Sequence, residues 1–441
     1  LTGPAESVAI PAGGTATLLV REQGGGRFNI GPTGPNQTGT GVDARSFRVD
    51  ATLPVIVYQF NPLCCNNNHT NDASLLLPVS GMGQAYHAFA GPSWIFGSNY
   101  PGTFTVVAAR DNTAVTIDVS GAARHNMPTL PNLPAPDGDG RIEVTLNQYG
   151  TINLISGAGG DLTGVRVEAS KPVGAFGGHM CTQIPFGDVA CDHIEEQLLP
   201  DETWGARYAA VPFHFRNPNR GNETSYYRVM ANADGAEIHF DPEWTAVVAA
   251  SRSGAAVYAP QNGVRSCSSI VQNGVLFLGP DENCEFNTQI SVLLEAEQRF
   301  GVTQFMSGQA STGGQNHAGD PAMMVVPPRD QFRNRYMFLT PQTYYVDYLN
   351  LVGPENAVYE LDGAVIDNTA CQELNNPDEA PCVIDPWAPI GNGEIGHMVI
   401  RMNDGPHLVE SRSGEPFGIM VYAYDNYVSY AYPGGLDLTK Y

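Results

Sequence analysis

Lysine is nearly missing from this chain. Lys171 and Lys440 are the only two, and 22 basic residues stand against 45 acidic ones, a formal charge of −23 over 441 residues. Such a surface repels phosphate backbones, which argues against nucleic acid as a partner. Long apolar runs are missing as well, and none approaches the roughly 18 residues of a membrane-spanning helix. Extended runs of helix formers with a 3.6 period are scarce, while 49 glycines and 33 prolines punctuate the sequence. Short alternating apolar groups, such as Thr15-Ala16-Thr17-Leu18-Leu19-Val20, take their place and predict an all-β fold. The chain opens on Leu1 with no signal-peptide pattern, which reads as a processed or trimmed product.

Recognised catalytic signatures are absent too. There is no Gly-x-Ser-x-Gly elbow, no phosphate-binding loop and no dinucleotide-binding glycine pattern. His193-Ile194-Glu195-Glu196-Gln197 fails the helical metalloprotease motif, with Ile194 where the base belongs and Gln197 where the second histidine belongs. Glu195 and Glu196 are neighbours, so on a strand they face opposite sides and cannot act as a glycosidase pair. An enzyme would have to assemble its site from distant segments.

What is present is repetition. An Asp-led segment closed by Pro and followed by Tyr occurs three times: Asp72 to Pro78 with Tyr86, Asp192 to Pro200 with Tyr208, and Asp320 to Pro327 with Tyr336. Upstream stand Leu53-Pro54-Val55-Ile56, Lys171-Pro172-Val173-Gly174, Arg299-Phe300-Gly301-Val302 and Glu415-Pro416-Phe417-Gly418, about 120 residues apart, the size of one small domain. Downstream, Phe104 to Ala109 precedes Ala114 to Asp118, Tyr226 to Ala231 precedes Ala236 to Phe240, and Tyr344 to Leu349 precedes Ala357 to Leu361. Two β runs joined by a short polar segment predict a hairpin in each case.

The predicted organisation is tandem β-sandwich-like modules over 51–170, 171–297 and 298–413. They are preceded by strands and a surface loop over 1–50 and followed by a terminal hairpin over 414–441 that completes or caps a module. The alternative is a closed, propeller-like ring in which first and last strands meet.

Six of the eight cysteines form close pairs, Cys181/Cys191, Cys267/Cys284 and Cys371/Cys382, flanked by turn residues. That usage predicts loop-stapling disulfides and an oxidising compartment, hence a secreted or cell-surface location. Cys64 and Cys65 are adjacent, either bridged to each other or each to a distant partner.

The middle repeat runs Glu168-Ala169-Ser170-Lys171-Pro172-Val173-Gly174-Ala175-Phe176-Gly177-Gly178-His179-Met180-Cys181. It continues through Cys191-Asp192-His193-Ile194-Glu195-Glu196-Gln197-Leu198-Leu199-Pro200 to Thr203-Trp204-Gly205. This resembles the amino-terminal domain of IgGFc-binding proteins, a family that also looks widespread in secreted bacterial proteins. The similarity is most specific over 165–208 and extends over about 50–430. It implies a secreted protein. In animals the family's members are mucus-associated, with affinity for the Fc part of immunoglobulin G.

Two sets of candidate site residues follow. His179, Asp188, Asp192 and His193, folded back by the Cys181/Cys191 pair, have donor types for zinc or calcium. The competing reading is architectural: Asp192, like Asp72 and Asp320, accepts backbone N–H groups in a tight loop. The second set is tyrosine. Tyr226, Tyr344, Tyr424 and Tyr430 belong to clusters in which adjacent rings point to opposite sides of a strand, and exposed rings bind sugars or protein ridges. Asn36, Asn68 and Asn222 have glycan-acceptor spacing. The function these features predict is a structural or adhesive protein binding glycans, proteins or its own copies through loops. The rival is an extracellular hydrolase with an acidic or metal-assisted site between modules.

Overall fold

The computed structural model describes residues 7–18, 41–43, 46–61, 70–96, 98–120, 133–217, 223–252, 265–314, 316–371 and 381–440. Cys64, Cys65, Asn36, Asn68 and Asn222 lie outside them.

The chain is all-β. Among the described residues the helical segments are Trp244–Ala249 and short 3-10 turns. Strands form where apolar residues alternate: in Gly102–Ala108 the side chains of Phe104, Val106 and Ala108 point into the core while Thr103, Thr105 and Val107 are half-buried.

A long strand organises the first sheet system. Arg166–Thr182 lies between Gly83–His87 and Thr113–Asp118 over its first residues, then pairs Gly102–Ala108 over Val173 to His179. Its register shifts between Glu168 and Val173, where Pro172 cannot donate to a ladder. One strand thereby joins both halves of an eight-stranded sheet. Val292–Phe305 does the same, between Gly205–Ala210 and Ala236–Asp241 at first and beside Ser225–Ala231 later. In the third system the strand is split. Gly405–Ser411 pairs Arg335–Thr340 and Tyr359–Leu361 in one sheet, while Gly418–Asp425 pairs Val346–Gly353 in another.

This topology overturns the predicted hairpins. Gly102–Ala108 and Thr113–Asp118 do not pair with each other; both pair with Arg166–Thr182. Ser225–Ala231 and Ala236–Asp241 are likewise separated by Val292–Phe305, and Val346–Gly353 and Tyr359–Leu361 belong to different sheets. In the first two systems the polar turn carries the chain across the long strand to its other side, and in the third from one sheet to the other. Local spacing is the same for a hairpin and for such a crossing.

The tyrosine after each Asp-to-Pro segment has one repeated job. The hydroxyl of Tyr86 accepts the Gly83 N–H (2.9 Å) and donates to Val173 O (2.7 Å). Tyr208 accepts from Gly205 (3.1 Å) and donates to Phe300 O (2.5 Å). Tyr336 accepts from Arg333 (2.8 Å) and donates to Phe417 O (2.5 Å). Each ties the start of a sheet system to the long strand, or its split equivalent, that closes it.

Four hairpins meet at the centre. Their first strands lie in Val57–Phe60, Arg166–Thr182, Val292–Phe305 and Gly418–Asp425, and their second strands are Ala73–Leu76, Asp192–Gln197, Met323–Val325 and Val428–Pro433. The second strands pack in a cycle, each on the next and the last on the first. Tyr58 contacts Tyr432 at 4.5 Å and Phe60 contacts Tyr430 at 5.5 Å between ring centres. The fold therefore joins sandwich-like modules to a ring of hairpins.

Candidate functional site

At the centre of that ring sits Asp72. Its Oδ1 accepts the N–H of Ala73 (2.8 Å) and Ala431 (3.4 Å), and its Oδ2 accepts those of Met323 (3.0 Å) and Glu195 (3.1 Å). One carboxylate thus ties together residues from all four second strands. Asp192 Oδ1 accepts the N–H of Asn71 (2.8 Å) and His193 (2.7 Å). Asp320 accepts the Gln309 N–H (3.3 Å) and donates its own N–H to Ser429 Oγ (3.0 Å). Burial pushes the Asp72 and Asp192 carboxyls well above the usual carboxylate range, Asp192 with a further push from nearby Asp320. Burial likewise raises Asp320 to about 6. The partners are backbone N–H groups, as the architectural reading expects, but those of Met323, Glu195, Ala431 and Asn71 belong to distant segments and not to one tight loop.

The four predicted metal ligands go to separate partners. His179 is fully buried; its Nδ1 accepts the Cys181 N–H (3.1 Å), so its Nε2 carries the proton toward Pro92 O (3.1 Å). Burial lowers it to about 3, which fixes it as neutral imidazole. Asp188 pairs with Arg252 Nη1 (2.7 Å) and accepts from Ser311 Oγ (2.9 Å). His193 Nε2 lies 3.1 Å from Asn61 Nδ2 and 3.5 Å from Glu195 Oε2. Among the described residues no group of three His, Cys, Asp or Glu side chains has an arrangement that could hold a metal ion, so this set does not fit calcium or zinc. The Cys181–Cys191 bridge is formed, but it draws the chain into a strand hairpin rather than a ligand loop.

The predicted binding tyrosines are interior. Tyr226, Tyr344, Tyr424 and Tyr430 are all buried. Tyr344 is bonded to Asn71, Tyr424 donates to His214 O (3.0 Å) beneath the Arg216 guanidinium, and Tyr430 donates to Asp347 Oδ1 (2.5 Å). The exposed rings of two of these clusters lie outside the strands: Tyr345 just precedes Val346–Gly353, and Tyr427 sits in the turn between Gly418–Asp425 and Val428–Pro433.

A concave site lies elsewhere, between the second and third sheet systems. It is a cleft of about 440 Å³ walled by Phe213, Phe215, Pro242 and Pro389, with His214, Asp385, Gln289, Ser291 and His397 as its polar side chains. His214 Nδ1 lies 2.7 Å from Asp385 Oδ2. The segment carrying His214 is pinned from below: Asn350 Nδ2 donates to Pro212 O (3.0 Å), and the His214 N–H donates to the Tyr422 hydroxyl (2.9 Å). Asp385 rides on Cys382–Ile390, stapled by Cys371–Cys382. The third bridge, Cys267–Cys284, secures the second system.

Ser291 Oγ stands 3.4 Å from His397 Nδ1, and burial lowers that histidine to about 4. So weak a base does not activate a hydroxyl near neutrality. The aspartate that could orient it is bonded instead to His214. Apolar walls with a few fixed donors and acceptors suit recognition of a side chain or loop. Sequence reasoning missed this cleft. His214 and Asp385 are 171 positions apart, and the only local signal was the aromatic and proline density of Pro212-Phe213-His214-Phe215.

The family model described as IgGFc binding protein matches residues 72–423. The human IgGFc-binding protein (Homo sapiens) is 32% identical over 139 residues, 32% of this chain but 2% of that protein. Among solved structures, a viral chemokine binding protein from a rodent gammaherpesvirus aligns at 7% identity over 78% of this chain and 82% of that one, with a TM-score of 0.13.

Proposed function

We infer that this chain, which belongs to the IgGFc-binding protein family, is an extracellular protein-binding scaffold of adhesive type. The observation that carries the reading is the family match over 72–423, which contains the cleft between the second and third sheet systems. Three disulfides and the formal charge of −23 accord with a secreted or surface location.

The ligand is a folded protein, and the immunoglobulin Fc region for which the human relative is named is the first to test. A protruding apolar side chain would enter between Phe213 and Phe215, and the His214–Asp385 pair at the same cleft would meet polar groups at its base. Glycans and further copies of this chain remain part of the proposal as secondary ligands.

Surface plasmon resonance with immobilised Fc, matrix proteins and glycans tests it. The expected result is saturable protein binding that falls at least about tenfold in Phe215→Ala and Asp385→Ala at unchanged melting temperature. Binding to none of these ligands, or binding indifferent to both substitutions, overturns the reading.

A further inference from the structure

Residues 46–55 repeat the sequence of a closing strand. Arg48-Val49-Asp50-Ala51-Thr52-Leu53-Pro54-Val55 matches Arg166-Val167-Glu168-Ala169-Ser170-Lys171-Pro172-Val173, with Arg, Val, Ala, Pro and Val identical in place. In the first sheet system that strand is flanked by others from residues 83–118, and Val167 and Val173 are 0% exposed. Residues 46–56 carry no ladder, and Val49, Leu53, Val55 and Ile56 are 53%, 76%, 49% and 46% exposed. The next strand, Val57–Phe60, pairs only with Ala73–Leu76 among the described residues.

What covers this face is indicated by the other three positions of the ring. There the closing strand is always covered by an opening half: 83–118 in the first system, 205–241 in the second, and 335–361 in the third. Each opening half starts from a Pro with Tyr eight positions on: Pro78 and Tyr86, Pro200 and Tyr208, Pro328 and Tyr336. Pro433 and Tyr441 have the same spacing. Residues 433–440 also take the fourth place in the cycle of linking segments. Gln331 Nε2 donates to Thr203 O (3.1 Å) and Thr439 O (2.7 Å), and Lys440 Nζ donates to Met82 O (2.7 Å).

We propose that the apolar face of residues 46–56 is a docking surface for the opening half of a fourth β module, a segment built like residues 83–118 and delivered from the carboxyl side of the ring. Its tyrosine would bond Val55 O, the counterpart of Val173 O, Phe300 O and Phe417 O. The completed assembly is a ring of four modules, the fourth formed by residues 46–60 and the segment that follows Tyr441.

The test extends the chain beyond Tyr441 with a second copy of residues 87–120 and follows amide hydrogen exchange at 48–56. Protection rising at least about 100-fold, and lost again in Val49→Asp with Val55→Asp, is the expected result. Unchanged exchange in a folded, extended chain overturns the proposal. So does concentration-dependent protection of the same amides in the unextended chain, which makes a second copy the occupant. If the extension misfolds, titrating the unextended chain with a peptide of residues 83–118 gives the same readout: binding abolished by the double substitution supports the proposal, and absence of binding overturns it.

Discussion

The carboxylate of Asp72 receives the backbone N–H of Met323 at 3.0 Å across 251 positions of sequence. The same side chain holds Ala73, Glu195 and Ala431. A buried donor left without its acceptor costs far more than one hydrogen bond contributes. The hub is therefore where a single substitution acts on all four hairpins at once.

Asp72→Ala strips the acceptor from these donors. The expected loss is roughly 3–5 kcal/mol of unfolding free energy, larger than for an ordinary buried hydrogen bond. Denaturant titration measures it, and a change under about 1 kcal/mol would mean that the hub does not hold the ring.

The three tyrosines make equal predictions. Tyr86→Phe, Tyr208→Phe and Tyr336→Phe each remove one hydroxyl bonded to a carbonyl and an N–H, and each is expected to cost roughly 1–2 kcal/mol. Similar midpoint shifts in all three variants are the signature of a common role. A single sensitive position with two silent ones would contradict it.

His87 places its Nδ1 2.8 Å from Asp201 and its Nε2 2.9 Å from Asp281. Burial opposes its charge, yet the two carboxylates prevail and raise it to about 9. A raised pKa in the folded state means stability that is present below the ordinary histidine value of 6.5 and lost as pH rises through about 9. Melting temperature should therefore fall between pH 7 and 10 in the parent chain and be flatter over that interval in His87→Gln. Parallel curves would dismiss the charged bridge.

Asp320 titrates in a different window. Burial raises it to about 6 from 3.8, so its contribution favours the folded state below 3.8 and is lost as pH rises through about 6. Asp320→Asn should remove that part of the pH dependence. The difference in melting temperature between parent and variant, followed from pH 4 to 7, reports it directly.

The all-β class, the three disulfide pairs and the architectural use of the repeated aspartates were legible from local sequence. Alternation, turn composition and short Cys spacing are themselves local physics, and Asp72 and Asp192 each accept the N–H of the next residue, whereas Asp320, followed by Pro321, takes that of Gln309. The tyrosines misled because alternation tells which rings oppose each other across a strand and not which side is covered. Tyr424 and Tyr430 are enclosed by Arg216 and Asp347, more than 80 positions away in sequence. The metal set misled in a related way, since neighbours along the chain, His179 and Asp188, point to Pro92 and Arg252 instead of to each other.

The sequence by itself determined that this chain makes β modules of one kind, because each repeat carries its own Asp, Pro and Tyr at the spacings a folding unit needs. Only the tertiary structure decided that neighbouring β runs are parted by a long strand or placed in separate sheets instead of forming hairpins, and that the repeated segments meet in a ring around Asp72. It also decided that the concave site joins His214 to Asp385. Backbone hydrogen bonds specify a strand but not its neighbour, and the neighbour is chosen by the burial of faces contributed by residues a hundred or more positions apart.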